Sequence, residues 1–478
     1  MRKVFVTPAA VVRDYGQRLH ALTDTTRERS PQLVRGLGAW DGALLTIGAM
    51  VGTGIFITTG DIAKVLPYPG LILLVWVVGG FLTLAGALTY AELGVLFPRA
   101  GGMYHFLKEA YGPLPGFLFG WASFLVIMSG GIAAIAVGFG EYLGSFLPWF
   151  STQHVLVAVP LGSWTWTLSG GQVAAAAAIL ALTAINYAGL REGAWVQNLM
   201  TVLKVGAVVG FAVLGLLVVP KLQPAVEAAL PSGGIVAAFG VGLIAALWGY
   251  DGWYGLVLSA GEVRQPERNL PRGLLWGTVA VMAMYTLLNV VYLRALPVAV
   301  MAATPRIGET AAAALFGAVG ARLVSLVVLV STFGCLAATI LYAARIYLPM
   351  AQDGLFFRAL ADVHPRYRTP GRCLLAQGGW STLLAISGTF SQLYTYAMFA
   401  VTLFHVATGA AVFVLRRTRP ELPRPYRVWG YPVVPALFIL ACGLLVVNTL
   451  AERPLESLWG LGLVALGLPA YAYWRRRG

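Results

Sequence analysis

The feature that most constrains this chain is a succession of apolar runs, each about as long as a bilayer core is thick. A hydrocarbon core of about 30 Å takes about 20 helical residues to cross. Twelve stretches meet or approach that length: 39–60, 70–97, 113–146, 171–190, 193–219, 232–260, 272–296, 321–349, 373–390, 393–416, 432–450 and 457–474. They predict an all-α membrane protein of twelve transmembrane helices. The third and eighth runs are long enough to tilt or to extend past the bilayer.

Charge placement orients these spans. Only 11% of the residues are charged, against about a quarter in soluble domains, and the deficit runs the whole length, which leaves no room for a large soluble domain. Of the 33 Lys and Arg residues, 26 fall in the N-terminal tail, in alternate loops and at the C-terminus. Six fall in the opposite loops, and Lys204 lies inside the fifth run. The positive-inside bias then puts both termini in the cytoplasm and residues 1–38 in a cytoplasmic tail, with no signal peptide ahead of the first run. It also accounts for the net charge of +14 without a nucleic-acid partner. Cys335, Cys373 and Cys442 have no metal-ligand spacing and read as buried thiols. No metal and no organic cofactor is implied.

Two of the runs are interrupted. The first reads Ile47-Gly48-Ala49-Met50-Val51-Gly52-Thr53-Gly54, and glycines at this density weaken a helix. The sixth reads Trp248-Gly249-Tyr250-Asp251-Gly252. In a membrane, unpaired backbone is tolerated where it lines a cavity. Runs one and six are five apart, so a fold of two five-span halves gives them matching positions, and broken helices at matching positions point to a transporter binding site. Freed N–H groups at a half-helix N-terminus suit a carboxylate, and freed carbonyls suit an ammonium. The candidate site is therefore Ile47, Met50, Gly52, Thr53 and Gly54 from the first break, with Trp248, Gly249, Asp251 and Gly252 from the second. The alternative is that these glycines only let helices pack closely.

Two charges fall at mid-span. Asp251 costs about 2.5–3.5 kcal/mol when ionised there, which a cavity, a cation, a proton or a backbone N–H in the break has to offset. Lys204 is too central to reach the interface easily; it reads as a proton carrier, as a fixed cation in place of a metal ion, or as half of a static ion pair. Glu92 and Glu141, near the ends of the second and third runs, are expected to be solvated or to pair across a gate. His405 reads as hydrogen-bonded packing.

The stretch Ile47–Phe56 resembles the first-helix signature of the amino acid–polyamine–organocation superfamily. Tyr90–Gly94, Phe97–Gly102 and Glu109–Pro113 resemble its second-to-third-helix signature. Tyr250–Trp253, Glu262-Val263 and Asn269–Arg272 are similar to the L-type amino acid transporter branch and its bacterial relatives, as are Asp353-Gly354, His364-Pro365 and Arg419–Pro425. Ala343-Ala344-Arg345 departs from the small hydroxylated residues common late in span eight. The resemblance runs from about residue 36 to 450. It implies a LeuT-type fold, with inverted five-helix repeats over 39–219 and 232–416 and two accessory helices over 432–474. It further implies carboxylate binding by the backbone at Thr53 and Gly54, a gating aromatic at Trp248 where relatives usually carry Phe, and Lys204 in the place of a sodium ion. Vertebrate relatives join a glycoprotein through a cysteine after span three; residues 147–170 have none, so no disulfide-linked partner is expected.

The sequence thus leads to a sodium-independent amino acid transporter in a cell or inner membrane, either an exchanger or a proton-coupled symporter. A polyamine or amine transporter and an amino acid sensor without flux stand as alternatives. A hydrolase or metalloprotease lacks its parts, since there is no His-Glu-x-x-His and no Gly-x-Ser-x-Gly.

Overall fold

A computed structural model describes residues 35–161, 164–188, 193–218 and 234–476. Most of the expected tail lies outside these residues, as do Arg191, Lys221, Arg477 and the first two residues of the sixth run.

The first run is two helices, α1 (Ala39–Met50) and α2 (Gly54–Val65), which meet at 45°. The interruption covers Val51, Gly52 and Thr53, because Gly54 already opens α2. The helices α3 (Pro69–Leu96) and α5 (Pro113–Leu143) each start on proline, whose missing N–H costs nothing at that position. Between them lies the short α4 (Met103–Tyr111). One π-helical turn, Ser123–Ile127, interrupts α5.

After α5 comes a departure from the all-α expectation. Val155–Leu161 (β1) and Trp164–Ser169 (β2) pair as an antiparallel hairpin, from residues rich in Val, Thr and Trp that favour a pleated surface. The chain continues through α6 (Gly170–Ala188) and α7 (Gly193–Val218). The sixth run splits into α8 (Gly234–Tyr250) and α9 (Gly255–Leu258). Then follow α10 (Pro266–Ala295), α11 (Val298–Ala303) and α12 (Ile307–Gln352), the last bent at Gly317, where φ is 67°. The remaining helices are α13 (Gly371–Ser387), α14 (Phe390–Thr418), α15 (Val433–Glu452), α16 (Pro454–Ala465) and α17 (Gly467–Arg475). Thr389 and Gln392 form a capping box at the start of α14.

Among the described residues, eight helices are long and apolar enough to cross a bilayer, and the bent α1–α2 pair makes a ninth. The other three runs are shorter as helices. α8 and α13 have 17 residues each, about 25 Å at 1.5 Å per residue, and the last run is divided at Leu466 into α16 and α17. Over its apolar window α5 is 78% buried, which makes it the central post. It packs against α6, α12, α13 and α14, while α10 packs along α1 and α3, and α8 lies against α2 and α3.

Glu92 corrects an expectation. It is fully buried, not solvated. Its carboxylate accepts from Arg416 Nε at 2.9 Å and Nη2 at 2.6 Å, and from the Val428 N–H at 2.7 Å. One carboxylate on α3 thereby holds the end of α14 and the loop beyond it. Removing one partner of such a pair leaves an uncompensated charge, at about 3 kcal/mol. Glu92→Gln is expected to lower the thermal unfolding midpoint of the detergent-purified protein clearly; an unchanged midpoint would show that the pair contributes little. Glu141 is paired: Arg306 Nη1 donates to its Oε1 at 3.2 Å, and the Thr152 hydroxyl donates to its Oε2.

Candidate functional site

The two breaks touch each other, and glycine is what lets them. A Cβ on Gly54 would lie 2.5 Å from the Gly249 Cα, and one on Gly252 would lie 2.8 Å from the Ala49 carbonyl oxygen. Gly252 also has φ of 99°, a conformation that glycine adopts without steric cost.

The first break exposes two helix ends, the C-terminus of α1 and the N-terminus of α2. The last carbonyls of α1 lack intrahelical partners, and each is met from another helix. Lys204 Nζ, from α7, donates to the Gly48 oxygen at 2.6 Å and the Val51 oxygen at 3.1 Å. Cys335 Sγ reaches the Ala49 oxygen at 3.0 Å, Tyr285 OH the Met50 oxygen at 2.8 Å, and Ser331 Oγ the Val51 oxygen at 2.9 Å. A buried ammonium therefore sits at the negative end of the α1 dipole. Carbonyl and hydroxyl oxygens of this kind are the ligands hard cations take, and here Lys204 bridges two of them.

On the other side of the break, α2 begins. Its first turn leaves N–H groups at Gly54 and Ile55 without intrahelical acceptors, at the positive end of that helix. Thr53 is buried and its hydroxyl has no protein partner. Gly138 of α5 comes so close that a Cβ there would lie 2.7 Å from the Thr53 methyl, so the Thr53 side chain is held in place.

In the second break the Asp251 N–H donates to the Trp248 oxygen at 3.1 Å, closing a turn before α9. The Asp251 carboxylate has the Tyr254 hydroxyl at 3.5 Å. Trp248 is buried and lies nearly parallel to Tyr394, ring centres 5.7 Å apart, with Phe390 edge-on at 6.2 Å.

Between the breaks is a cavity walled by Met50, Gly52, Thr53, Gly54, Trp248 and Asp251, by Ile127, Met128, Gly131 and Ile135 of α5, and by Cys335, Thr339 and Tyr342 of α12. Its volume of ≈ 20 Å³ is about what one water needs, so the two breaks are closed on each other.

Six of the ten candidate residues thus share one wall. Gly249 and Gly252 lie behind it as contact points, Ile47 is buried in α1, and Lys204 stands behind the first break. Tyr285, Ser331 and the α5 wall complete the site without any signal in the sequence. Cys335 is a free, buried thiol as expected, but it also belongs to the break. Earlier in the same helix the Ser331 hydroxyl donates to the Val51 oxygen. Ala343 and Ala344 are core, and Arg345 Nε donates to Glu262 Oε1 at 2.6 Å. The Glu262 backbone carbonyl accepts from the Gly36 and Leu37 N–H groups, so residues 36–37 are tied to the chain just past α9. His405 Nδ1 lies 2.6 Å from the Tyr90 hydroxyl, among Tyr90, Trp253, Tyr254 and Phe438, as hydrogen-bonded packing requires. The described residues contain no His, Cys, Asp and Glu cluster able to hold a metal.

Comparison with known proteins adds to this geometry. The profile of a family described as amino acid permease matches residues 37–461. The chain is 31% identical over 451 residues to the serine/threonine exchanger SteT of Bacillus subtilis, covering 93% of this chain and 98% of that protein. It is 32% identical over 455 residues to the b(0,+)-type amino acid transporter 1 of Homo sapiens, covering 93% and 88%. With the human large neutral amino acids transporter small subunit 2 it shares 30% over 456 residues, covering 93% and 82%.

Proposed function

This chain belongs to the amino acid permease family, in the L-type amino acid transporter branch with its bacterial relatives, and from that premise we propose that it is a sodium-independent amino acid transporter working by alternating access. Membership makes it a multi-pass membrane transporter and not an enzyme. The finer reading is twelve spans in a LeuT-type arrangement, with inverted repeats over 39–219 and 232–416 and accessory helices over 432–474, in the cell membrane with both termini cytoplasmic. Its support is that the bent α1–α2 pair and the interrupted α8–α9 pair stand five spans apart and meet at Gly54 and Gly249.

The observation that carries the proposal is the polarity of the first break. Thr53, whose hydroxyl has no protein partner, and Gly54, which opens α2, line the cavity, while the carbonyl end is already occupied by Lys204. The substrate carboxylate binds at Thr53 and Gly54. The substrate ammonium binds backbone carbonyls at Trp248 and Gly249 near the end of α8, where the Trp248 oxygen accepts from the Asp251 N–H and keeps a second lone pair. Asp251 faces the substrate side chain, and Trp248 closes over it. Lys204 supplies the positive charge a sodium ion would bring, so the cycle runs without sodium, as an exchanger or with protons. A cavity of ≈ 20 Å³ is smaller than any amino acid, so loading requires Trp248 and the breaks to move apart. We expect no disulfide-linked partner, because residues 147–170 contain no cysteine.

The test is uptake into proteoliposomes from an amino acid panel, beginning with serine, threonine, leucine and lysine, with internal substrate and pH varied. Sodium-independent flux is expected; absence of flux and of binding for every amino acid and amine overturns the proposal. Asp251→Asn is expected to shift the ratio of lysine to leucine uptake by about tenfold, the worth of one hydrogen bond to a charged group. An unshifted ratio removes Asp251 from the side-chain pocket.

A further inference from the structure

A second cavity, of ≈ 290 Å³, opens on the face of the molecule away from the basic loops. It is separated from the central one by an aromatic layer. Phe390 lines this outer cavity and rests edge-on against Trp248, which walls the central one. Tyr394, stacked on Trp248, points its hydroxyl at Asp61 Oδ2, 3.5 Å away.

The outer cavity carries both signs of charge. Asp61 and Lys64 of α2, which pair at 2.8 Å, and Glu141 of α5 line it, and Arg306 behind them meets Glu141 at 3.2 Å and Glu309 at 2.7 Å. Hydroxyl and amide groups of Thr167, Ser169 and Gln172 fill much of the remaining wall. A carboxylate and an ammonium side by side on the wall, at Asp61 and Lys64, match a molecule bearing one charge of each sign. The Asp61–Lys64 pair can open for such a molecule. The Lys64 side chain is 56% exposed and that of Asp61 22%, and a pair so wetted is weak. Lys64 has room to swing away and take a carboxylate, while Asp61 takes the ammonium that replaces it.

We propose that this vestibule is a second, weaker binding site for the zwitterionic head of an amino acid, loaded before the central site. The inference rests on the reading of the chain as an amino acid transporter. Its links to the gate are concrete: Asp61 touches Tyr394, and Tyr394 and Phe390 cover Trp248. An amino acid on Asp61 competes with the Tyr394 hydroxyl for that carboxylate and so loosens the layer it must pass.

The experiment is equilibrium binding of radiolabelled serine, leucine and lysine to the purified full-length protein, with uptake measured from each face of oriented proteoliposomes. The wild type is expected to bind with a tight component and a weaker one. Lys64→Met, checked for folding by size-exclusion profile, is expected to lose the weaker component and keep the tight one. Its KM from the vestibule face is expected to rise about fivefold with kcat unchanged, as removal of a binding contact does, while the opposite face is unaffected. Asp61→Asn is expected to lose the weaker component as well. A wild type with one component only, or a Lys64→Met that matches it from both faces, overturns the vestibule site and leaves the central one standing. No binding of any of the three to the wild type overturns both.

Discussion

Lys204→Ala is expected to reduce the initial rate of uptake by about two orders of magnitude with the protein still folded. The ammonium makes two hydrogen bonds, to the Gly48 and Val51 oxygens. Hydrogen bonds to a charged group are worth about 1.5–3 kcal/mol each, so losing both removes at least about 3 kcal/mol from the conformation that holds the first break in shape, a factor of about 10². Tyr285, Ser331 and Cys335 still reach the neighbouring carbonyls, which is why collapse is not expected. The fixed-cation and proton-carrier roles separate in the same variant. If Lys204 stands in for a metal ion, the truncated site retains an oxygen set, and added sodium should restore part of the lost rate. If Lys204 carries the coupled proton, sodium should do nothing and the residual flux should lose its pH dependence. Lys204→Arg is not expected to rescue either role, because a planar guanidinium does not fit where a compact ammonium reaches two carbonyls. Wild-type uptake by Lys204→Ala would remove the residue from the mechanism.

The parts of this site that were legible in the sequence are those in which a residue contradicts its surroundings. Glycines at Gly52 and Gly54 interrupt an otherwise sound membrane helix, and the chain does bend there. Lys204 and Asp251 are charges in apolar runs, and each lies at a break. Residues that agree with their surroundings gave no such signal. Tyr285, Ser331 and Cys335 are ordinary occupants of membrane helices, and their role comes from carbonyls more than 200 positions away in the chain. Glu92 was misplaced for the opposite reason: its position near a run's end implied water, but Arg416 and Val428 fold over it. The paired strands Val155–Leu161 and Trp164–Ser169 are each too short to stand out beside runs of membrane-spanning length. The division of the last run at Leu466 falls in a stretch whose composition is continuous.

Gly54→Ala is expected to abolish uptake, and Gly52→Ala to impair it in a way that a second change can repair. The difference lies in what each new methyl would meet. At Gly54 the nearest atoms are the Gly249 Cα at 2.5 Å and the Gly249 N at 3.2 Å. Carbon atoms pack at about 3.5–4.0 Å, so the two breaks would have to separate by about 1 Å, and backbone has no rotamer with which to yield. At Gly52 the nearest atom is Cys335 Sγ at 3.0 Å, with its Cβ at 3.4 Å, a side chain that can be removed. Overpacking costs about 1–3 kcal/mol in an adaptable core, and more where neither partner can move, so Gly54→Ala should fall by at least about 10² in uptake. The double variant Gly52→Ala with Cys335→Ala should recover most of the activity lost by Gly52→Ala, less what the Sγ contact to the Ala49 oxygen contributes. Gly249→Ala supplies the reciprocal case: its methyl would strike the Trp76 ring at 2.5 Å, so shortening Trp76 should relieve it where nothing relieves Gly54→Ala. Uptake normalised to membrane expression, with a size-exclusion profile for each variant, distinguishes these cases. Transport at the wild-type rate by Gly54→Ala would mean that the two breaks do not close upon each other during the cycle. A double variant as impaired as Gly52→Ala alone would place the need for glycine in the backbone of the break and not in the space beside Cys335.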